Sequence, residues 1–441
     1  MHKHLFVTVI VVLFSRGVGA QPYPEEWFRQ FGTSTESGQG VATDTAGNVI
    51  VVGYSLGGTL APVRYGMTDA FVRKYDAAGT ELWTKQLGTS ESDGARGVAV
   101  GRAGEVYVTG YIAGHQGGAF GGVADAFLSK LDSSGQVLWS QQFGVPENDE
   151  GRGVTIDRFG NIYVTGYTDG SLGGVNAGGL STRDAFVAKF DDHGQTLWTK
   201  QVGEFELDEG NAIVSDSSGD VYICGRTITG AYLKKLDNAG NLLWSKKFGM
   251  APDNGLDLAV DASDHIYVTG VTVTREDGGA TFTIGAFLKK FDTAGNDLWS
   301  RNYGAAGFRH GYSVGVDGAG DIFVTGGESE SSNDFSSRYD IFLLKSDAAG
   351  NLLWSETFGS DALDNAFSLA ADPRGDIYVS GYSEGSFQIP NSLAGRAFVI
   401  KFANNVPEPC AAMWLYVAGV MAVVKRRRKK RLTSAGTTAN V

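Results

Sequence analysis

The sequence has 441 residues, with 63 Gly, 25 Phe, 17 Tyr and 8 Trp but only 9 Pro and 2 Cys. So many aromatics beside so little Pro exclude collagen-like and disordered chains, and two Cys exclude a disulfide scaffold or a Cys-rich zinc module. The 37 basic and 49 acidic residues leave a formal charge of −12, which argues against a general nucleic-acid binder, and the length admits two or three ordinary domains or one large β domain.

The first element, residues 1–20, reads as a secretory signal. Lys3 supplies the positive charge, Leu5 to Phe14 is an apolar run, and the small residues Val18-Gly19-Ala20 place cleavage between Ala20 and Gln21. The apolar run is too short to span a bilayer comfortably.

Residues 21–405 repeat themselves. Trp27, Trp83, Trp139, Trp198, Trp244, Trp299 and Trp354 each open a short strand that ends near Gly, at spacings of 46 to 59 residues. A second marker follows an Asp-x-x-Gly turn, as in Gly160-Asn161-Ile162-Tyr163-Val164-Thr165-Gly166, with equivalents at Gly47, Gly104, Gly219, Asp264, Gly320 and Gly375. A third carries Phe71, Phe127, Phe186, Tyr232, Phe287, Phe342 and Phe398. A fourth is short and rich in small residues, as in Gly97-Val98-Ala99-Val100.

Four short β-rich segments per unit, without a helical apolar period, predict an all-β chain. Seven such units predict a seven-bladed β-propeller with four antiparallel strands per blade. The last unit lacks a Trp strand and the first Trp strand lacks a unit, so the N-terminal strand is expected to close the last blade. The Trp strand is then outermost, and the Gly/Ala/Val strand innermost. The pattern Asp-x-x-Gly-Asn-x-Tyr-Val-x-Gly, followed by Asp-Ala-Phe-x-x-Lys and Asp-x-x-Gly, resembles the SBBP repeat of seven-bladed β-propellers over nearly all of residues 26–402. That resemblance implies a fold rather than a reaction.

The repeated residues favour structure over chemistry. Asp at a turn start bonds the backbone two residues on and Gly accepts positive φ, so the Asp-x-x-Gly segments read as hairpin turns, with calcium coordination as the competing reading. Lys74, Lys130, Lys189, Lys235, Lys290, Lys345 and Lys401 share one repeat position. They read as snorkelling side chains near the blade edge, paired with the acidic body, rather than as a cationic collar. The Trp and Tyr stripes read as packing rather than as sugar platforms. His115, His193, His265 and His310 have no metal-ligand spacing and belong to no nucleophile motif. Cys224, within an apolar strand, reads as a buried small hydrophobe. No catalytic residue, cofactor or metal ligand is assigned.

Strand alternation places both Asp-x-x-Gly turns of every unit on one face. The opposite face gathers loops of variable length (54–68, 111–124, 167–183 and the short 226–229) and connectors rich in carboxylates. Glu91, Asp93, Glu147, Asp149, Glu150, Glu204, Glu206, Asp208 and Glu209 mark an expected acidic binding face there.

The last elements are Val406-Pro407-Glu408-Pro409, an apolar run from Cys410 to Val424, the basic cluster Lys425, Arg426, Arg427, Arg428, Lys429, Lys430 and Arg431, and a short polar tail, 432–441. Fifteen apolar residues give about 22 Å of helix, short of the roughly 30 Å hydrocarbon core. The cations would stay cytoplasmic. The tripartite order over 406–431 resembles the PEP-CTERM sorting signal, which implies export, at least transient membrane association through this segment, and processing by an exosortase-like enzyme.

Together these readings predict an exported bacterial cell-surface or extracellular-matrix propeller. It would act as a non-enzymatic structural, adhesive or binding module toward an extracellular glycan or surface protein, with no nucleic-acid partner. The alternatives are a polysaccharide-active propeller enzyme, a lyase or glycoside hydrolase, and calcium-assisted glycan recognition.

Overall fold

The computed structural model describes residues 25–114, 124–174, 182–203, 207–275, 282–304, 308–329, 339–372, 374–385 and 395–404. The terminal expectations, at Ala20, Gln21, Pro407, Glu408, Pro409 and Lys425 to Arg431, lie outside the described residues, as do Glu204 and Glu206. No described residue is helical, and no helix is long and apolar enough to cross a membrane.

Twenty-eight strands form seven four-stranded sheets. After β1 (Glu25–Phe31), blade 1 holds β2 (Thr35–Thr43), β3 (Val49–Leu56), β4 (Thr68–Tyr75) and β5 (Glu81–Leu87). Blade 2 holds β6 (Asp93–Val100), β7 (Val106–Ile112), β8 (Asp125–Leu131) and β9 (Val137–Phe143). Blade 3 holds β10 (Asp149–Ile156), β11 (Ile162–Thr168), β12 (Asp184–Phe190) and β13 (Thr196–Gln201). Blade 4 holds β14 (Glu209–Ser215), β15 (Val221–Thr227), β16 (Gly230–Leu236) and β17 (Leu242–Phe248). Blade 5 holds β18 (Asn254–Val260), β19 (Ile266–Arg275), β20 (Phe282–Phe291) and β21 (Asp297–Tyr303). Blade 6 holds β22 (Phe308–Val316), β23 (Ile322–Ser329), β24 (Asp340–Ser346) and β25 (Leu352–Phe358). Blade 7 runs β26 (Asp364–Ala371), β27 (Ile377–Ser383) and β28 (Arg396–Phe402), and β1 pairs antiparallel with β28, Trp27 opposite Lys401 and Phe31 opposite Ala397. The chain is thus a seven-bladed β-propeller closed by its N-terminal strand, with the small-residue strands innermost and the Trp strands outermost.

The second strand of each blade is a short apolar run with no inside–outside alternation, because both of its faces are covered. Val49, Ile50, Val51 and Val52 of β3 are all fully buried. The core is not one mass but seven layers, each shared by two neighbouring blades. Ile50, Val52 and Val72 of blade 1, for example, pack on Val106, Val108 and Phe127 of blade 2. Each such side chain contributes roughly 1.5–3 kcal/mol on full burial, so stability resides in blade–blade contact.

One motif repeats at the outer part of these layers. Asp44 opens the inner turn of blade 1, and its Oδ1 accepts the backbone N–H groups of Ala46 (3.0 Å) and Asn48 (2.9 Å). Its Oδ2 lies 3.0 Å from Lys74 Nζ. Lys74 stands opposite Trp83, whose indole N–H donates to Ser133 O (3.1 Å) in the outer turn of blade 2. Trp27, Trp139, Trp198, Trp244 and Trp299 reach the next blade's outer turn in the same way.

All seven lysines are more than nine-tenths buried, which corrects their expected place near the blade edge. The third strand is covered by the outer strand, and buried carboxylates such as Asp216 (3.1 Å from Lys235) and Asp376 (3.0 Å from Lys401) hold the ammonium groups inside. Cys224 is fully buried in the layer between blades 4 and 5, where burial pushes its thiol up.

Candidate binding site in the central channel

Every innermost strand carries a bulge at the same place. The register skips one residue between Gly38 and Gly40, Ala95 and Gly97, Gly151 and Gly153, Gly210 and Ala212, Gly255 and Asp257, Gly311 and Ser313, and Ala366 and Ser368. A bulge leaves one residue outside the ladder and re-aims its side chain. The small flanking residues follow from close approach: a Cβ on Gly97 would lie 2.6 Å from Arg152 O, and one on Gly40 would lie 3.0 Å from Arg96 O.

The seven extra residues line the central channel, a cavity of about 440 Å³, as one collar. Gln39, Arg96, Arg152 and Asn211 form its polar arc on blades 1–4, and Leu256, Tyr312 and Phe367 form its apolar arc on blades 5–7. Two residues further along each strand the lining turns aliphatic, from Val41 through Val154 to Leu369.

Carboxylates and arginines bind the polar arc to the loop face. Arg96 donates Nε to Glu150 (2.6 Å) and one Nη to Gln39 Oε1 (3.1 Å). Arg152 donates one Nη to Glu209 (2.8 Å) and to Asn211 Oδ1 (2.6 Å). Arg183 (2.6 Å) and Arg226 (3.1 Å) also donate to Glu209. Burial works to raise the Glu209 carboxyl, but Arg152, Arg226 and Arg183 overrule it and hold it at about 2. Burial likewise opposes the Arg96 charge, and Glu150 restores it, leaving the guanidinium above its ordinary range. Arg96 also lies over the rings of Tyr54 (6.0 Å) and Tyr111 (5.4 Å), and Arg152 and Arg183 lie over Tyr167 (4.8 and 4.2 Å).

In the apolar arc, Tyr312 and Phe367 meet edge to face at 5.5 Å. His310 Nδ1 lies 3.0 Å from the Tyr312 hydroxyl, and burial lowers its pKa. Asp257 sits in the channel wall, where burial pushes its carboxyl up to about 6 although Ser313 Oγ (2.5 Å) and the Val314 N–H (3.0 Å) donate to it.

The expected acidic face is reorganised by this network. Glu91 and Glu147 are exposed. Asp93, Asp149, Asp208, Glu150 and Glu209 are buried, so of the seven described carboxylates only two present charge to solvent. Asp93 accepts the Thr89 N–H and Asp149 the Val145 N–H (2.7 Å), as caps of the between-blade connectors, while Glu150 and Glu209 are neutralised by arginines. Charge is visible in a sequence, but burial and pairing across blades are not.

The seven collar residues did not emerge from the sequence. Their signal is a bulky residue flanked by small ones in the small-residue strand, Gly38-Gln39-Gly40, Ala95-Arg96-Gly97 and Gly151-Arg152-Gly153, visible once the seven units are aligned. Among the described residues no group of three or more His, Cys, Asp or Glu is placed to hold a metal ion. The arrangement offers recognition: guanidinium and amide donors on one side, aromatic and aliphatic surface on the other.

Comparison with known proteins agrees with the repeat architecture. Residues 26–59 and 138–173 match the family described as SBBP, β-propeller repeat. The regulatory protein FlaEY of Caulobacter vibrioides is 27% identical over 187 residues, covering 37% of this chain and 19% of that protein. An uncharacterised WD repeat-containing protein of Acanthamoeba polyphaga mimivirus is 23% identical, covering 80% of this chain and 30% of its own length. The chain therefore spans under a third of the length of these relatives. Among solved structures, the Pan2 WD40 domain of Neurospora crassa overlaps with a TM-score of 0.49 at 11% identity, covering 85% of this chain and 91% of that one.

Proposed function

We propose that the protein is an exported bacterial β-propeller that acts as a non-enzymatic binding module at the cell surface or in the extracellular matrix, and that it engages its partner through the central channel from the loop face. The collar carries this reading: seven bulges in register spend ladder pairing to present side chains to one cavity, a cost that a purely structural ring does not require. Beside it Glu150 and Glu209 are tied to arginines, which suits holding a ligand rather than moving a proton. The signal-like residues 1–20 and the PEP-CTERM-like order of 406–431 support the address.

A polysaccharide-cleaving reading has one observation in its favour, the raised Asp257 carboxyl in the channel wall. That carboxylate is occupied, however, in stitching β18 to β22 through Ser313 and Val314.

The test is incubation of the purified full chain with extracellular matrix polysaccharide. The expected result is retention on the polysaccharide with no new reducing or unsaturated ends. Turnover that falls on Asp257→Asn would replace the binding reading with the enzymatic one. The export address is tested separately, by the intact mass of the protein recovered from outside the cells. Termini at Gln21 and near the Pro407-Glu408-Pro409 motif are expected, and a mass that retains Lys425 to Arg431 contradicts tail processing.

A further inference from the structure

We infer that the collar takes a carboxylated sugar ring, a uronic-acid unit, with its carboxylate on Arg96 and Arg152 and its ring face against Tyr312 and Phe367. This rests on the binding-module reading and specifies its ligand.

The first argument is charge. Residues 21–405 hold 28 basic and 48 acidic residues, yet around the polar arc four arginines, Arg96, Arg152, Arg183 and Arg226, meet three carboxylates, Glu150, Glu209 and Asp169. In so acidic a body, this cluster of arginines, two of them (Arg96 and Arg152) lining the channel beside Glu150 and Asp257, is where an anion is favoured over the rest of the surface.

The second is donor geometry. Each collar arginine is held by one carboxylate and one amide, so the fork is oriented before a ligand arrives. The second Nη of Arg96, and the Nε and second Nη of Arg152, donate to nothing among the described residues, and both side chains are partly exposed, at 31% and 24%. A planar fork with free N–H groups matches a carboxylate bidentately. Gln39 Nε2, which donates to Ser37 Oγ (2.7 Å), keeps a second N–H for a hydroxyl, while the Asn211 N–H groups are spent on Asn254 Oδ1 and Gly255 O (2.8 Å each).

The third is the opposite wall. Tyr312, Phe367 and Leu256 offer apolar surface within the same cavity, and an aromatic face attracts the electropositive C–H side of a saturated ring. A volume of about 440 Å³ falls in the range of small-molecule sites, roughly 300–1,000 Å³. It has room for a ring or two at the end of a chain and none for a folded partner.

Isothermal titration of the full chain with trigalacturonate, a neutral trisaccharide of the same linkage, and benzoate tests the inference. Trigalacturonate is expected to bind, with affinity falling as salt rises, and the neutral trisaccharide and benzoate to bind at least tenfold more weakly. Arg152→Gln, which leaves Glu209 paired with Arg183 and Arg226, and Phe367→Leu are each expected to weaken trigalacturonate tenfold or more at unchanged melting temperature. Arg96→Lys retains the charge but not the fork, and is expected to weaken binding as well.

Equal binding of the neutral and acidic sugars, or of benzoate and trigalacturonate, overturns the inference. So does trigalacturonate binding that the collar variants leave unchanged. If trigalacturonate fails while a matrix polysaccharide still binds in a collar-dependent way, the inference falls and the binding-module reading stands. If matrix retention is also indifferent to the collar variants, both fall.

Discussion

Gly135 and Gly160 have the same left-handed backbone, φ +83° and +87°, in different surroundings. A Cβ on Gly135 would lie 2.7 Å from the Trp83 ring, whereas a Cβ on Gly160 meets nothing within 4 Å. Gly160→Ala is therefore expected to cost only the left-handed penalty, about 1–2 kcal/mol. Gly135→Ala should cost a further 1–3 kcal/mol or so for overpacking against the indole. Urea unfolding of both variants checks this, and equal losses would mean that Trp83 does not lean on the turn. The buried lysines give a second residue-scale test. Lys235→Met leaves Asp216, 2% exposed, without its cation, and a broken buried pair costs roughly 3–5 kcal/mol. A loss below 1 kcal/mol in the same assay would show that the lysine is solvated rather than locked in.

At the scale of elements, β1 is the piece on which ring closure depends. It brings Trp27, Phe28 and Phe31 into the layers on both sides of blade 7 and covers the edge of β28. A chain starting at Gly32 loses these three buried aromatics, about 5 kcal/mol or more at roughly 1.5–3 kcal/mol each. It should melt well below the intact protein, and a peptide spanning residues 24–33 should restore it by strand addition. An unchanged melting temperature would mean the ring does not need the closing strand. This closure was legible in the sequence, because Trp27 lacks a unit before it and the strand of Phe398 lacks a Trp strand after it. Strand order was legible from the same counting. The bulges were not. Glycine in Gly94-Ala95-Arg96-Gly97 marks a close approach, but the skipped residue depends on which partner faces which, and that is fixed only by the pairing of β6 with β7. The lysines were misplaced for a similar reason: a side chain's exposure depends on the strand laid over it.

For the whole molecule, the net −12 joins an acidic propeller to two basic ends, and the propeller's acids fall into two classes with opposite pH behaviour. Burial pushes Asp149 up to about 7 and Asp364 and Asp257 up to about 6. These groups bind protons more tightly folded than unfolded, so their contribution is complete below about pH 4 and is lost as pH rises through 6 to 7. Glu209, held at about 2, works the other way, and its contribution disappears as pH falls from 4 toward 2. The melting temperature is thus expected to rise from pH 8 to about 5 and to fall below about 4, as followed by thermal melts in matched ionic strength. A monotonic decline from pH 8 downward would contradict the burial of these acids.

The central claim is that function resides in the channel collar reached from the loop face. Hydrogen–deuterium exchange of the full chain, with and without bound matrix polysaccharide, tests it most directly. Added protection is expected in β2, β6, β10 and β26 around Gln39, Arg96, Arg152 and Phe367, with none in the Asp-x-x-Gly turns or the outer Trp strands. Protection confined to the turn face or the outer strands, with the collar unchanged, would contradict the account.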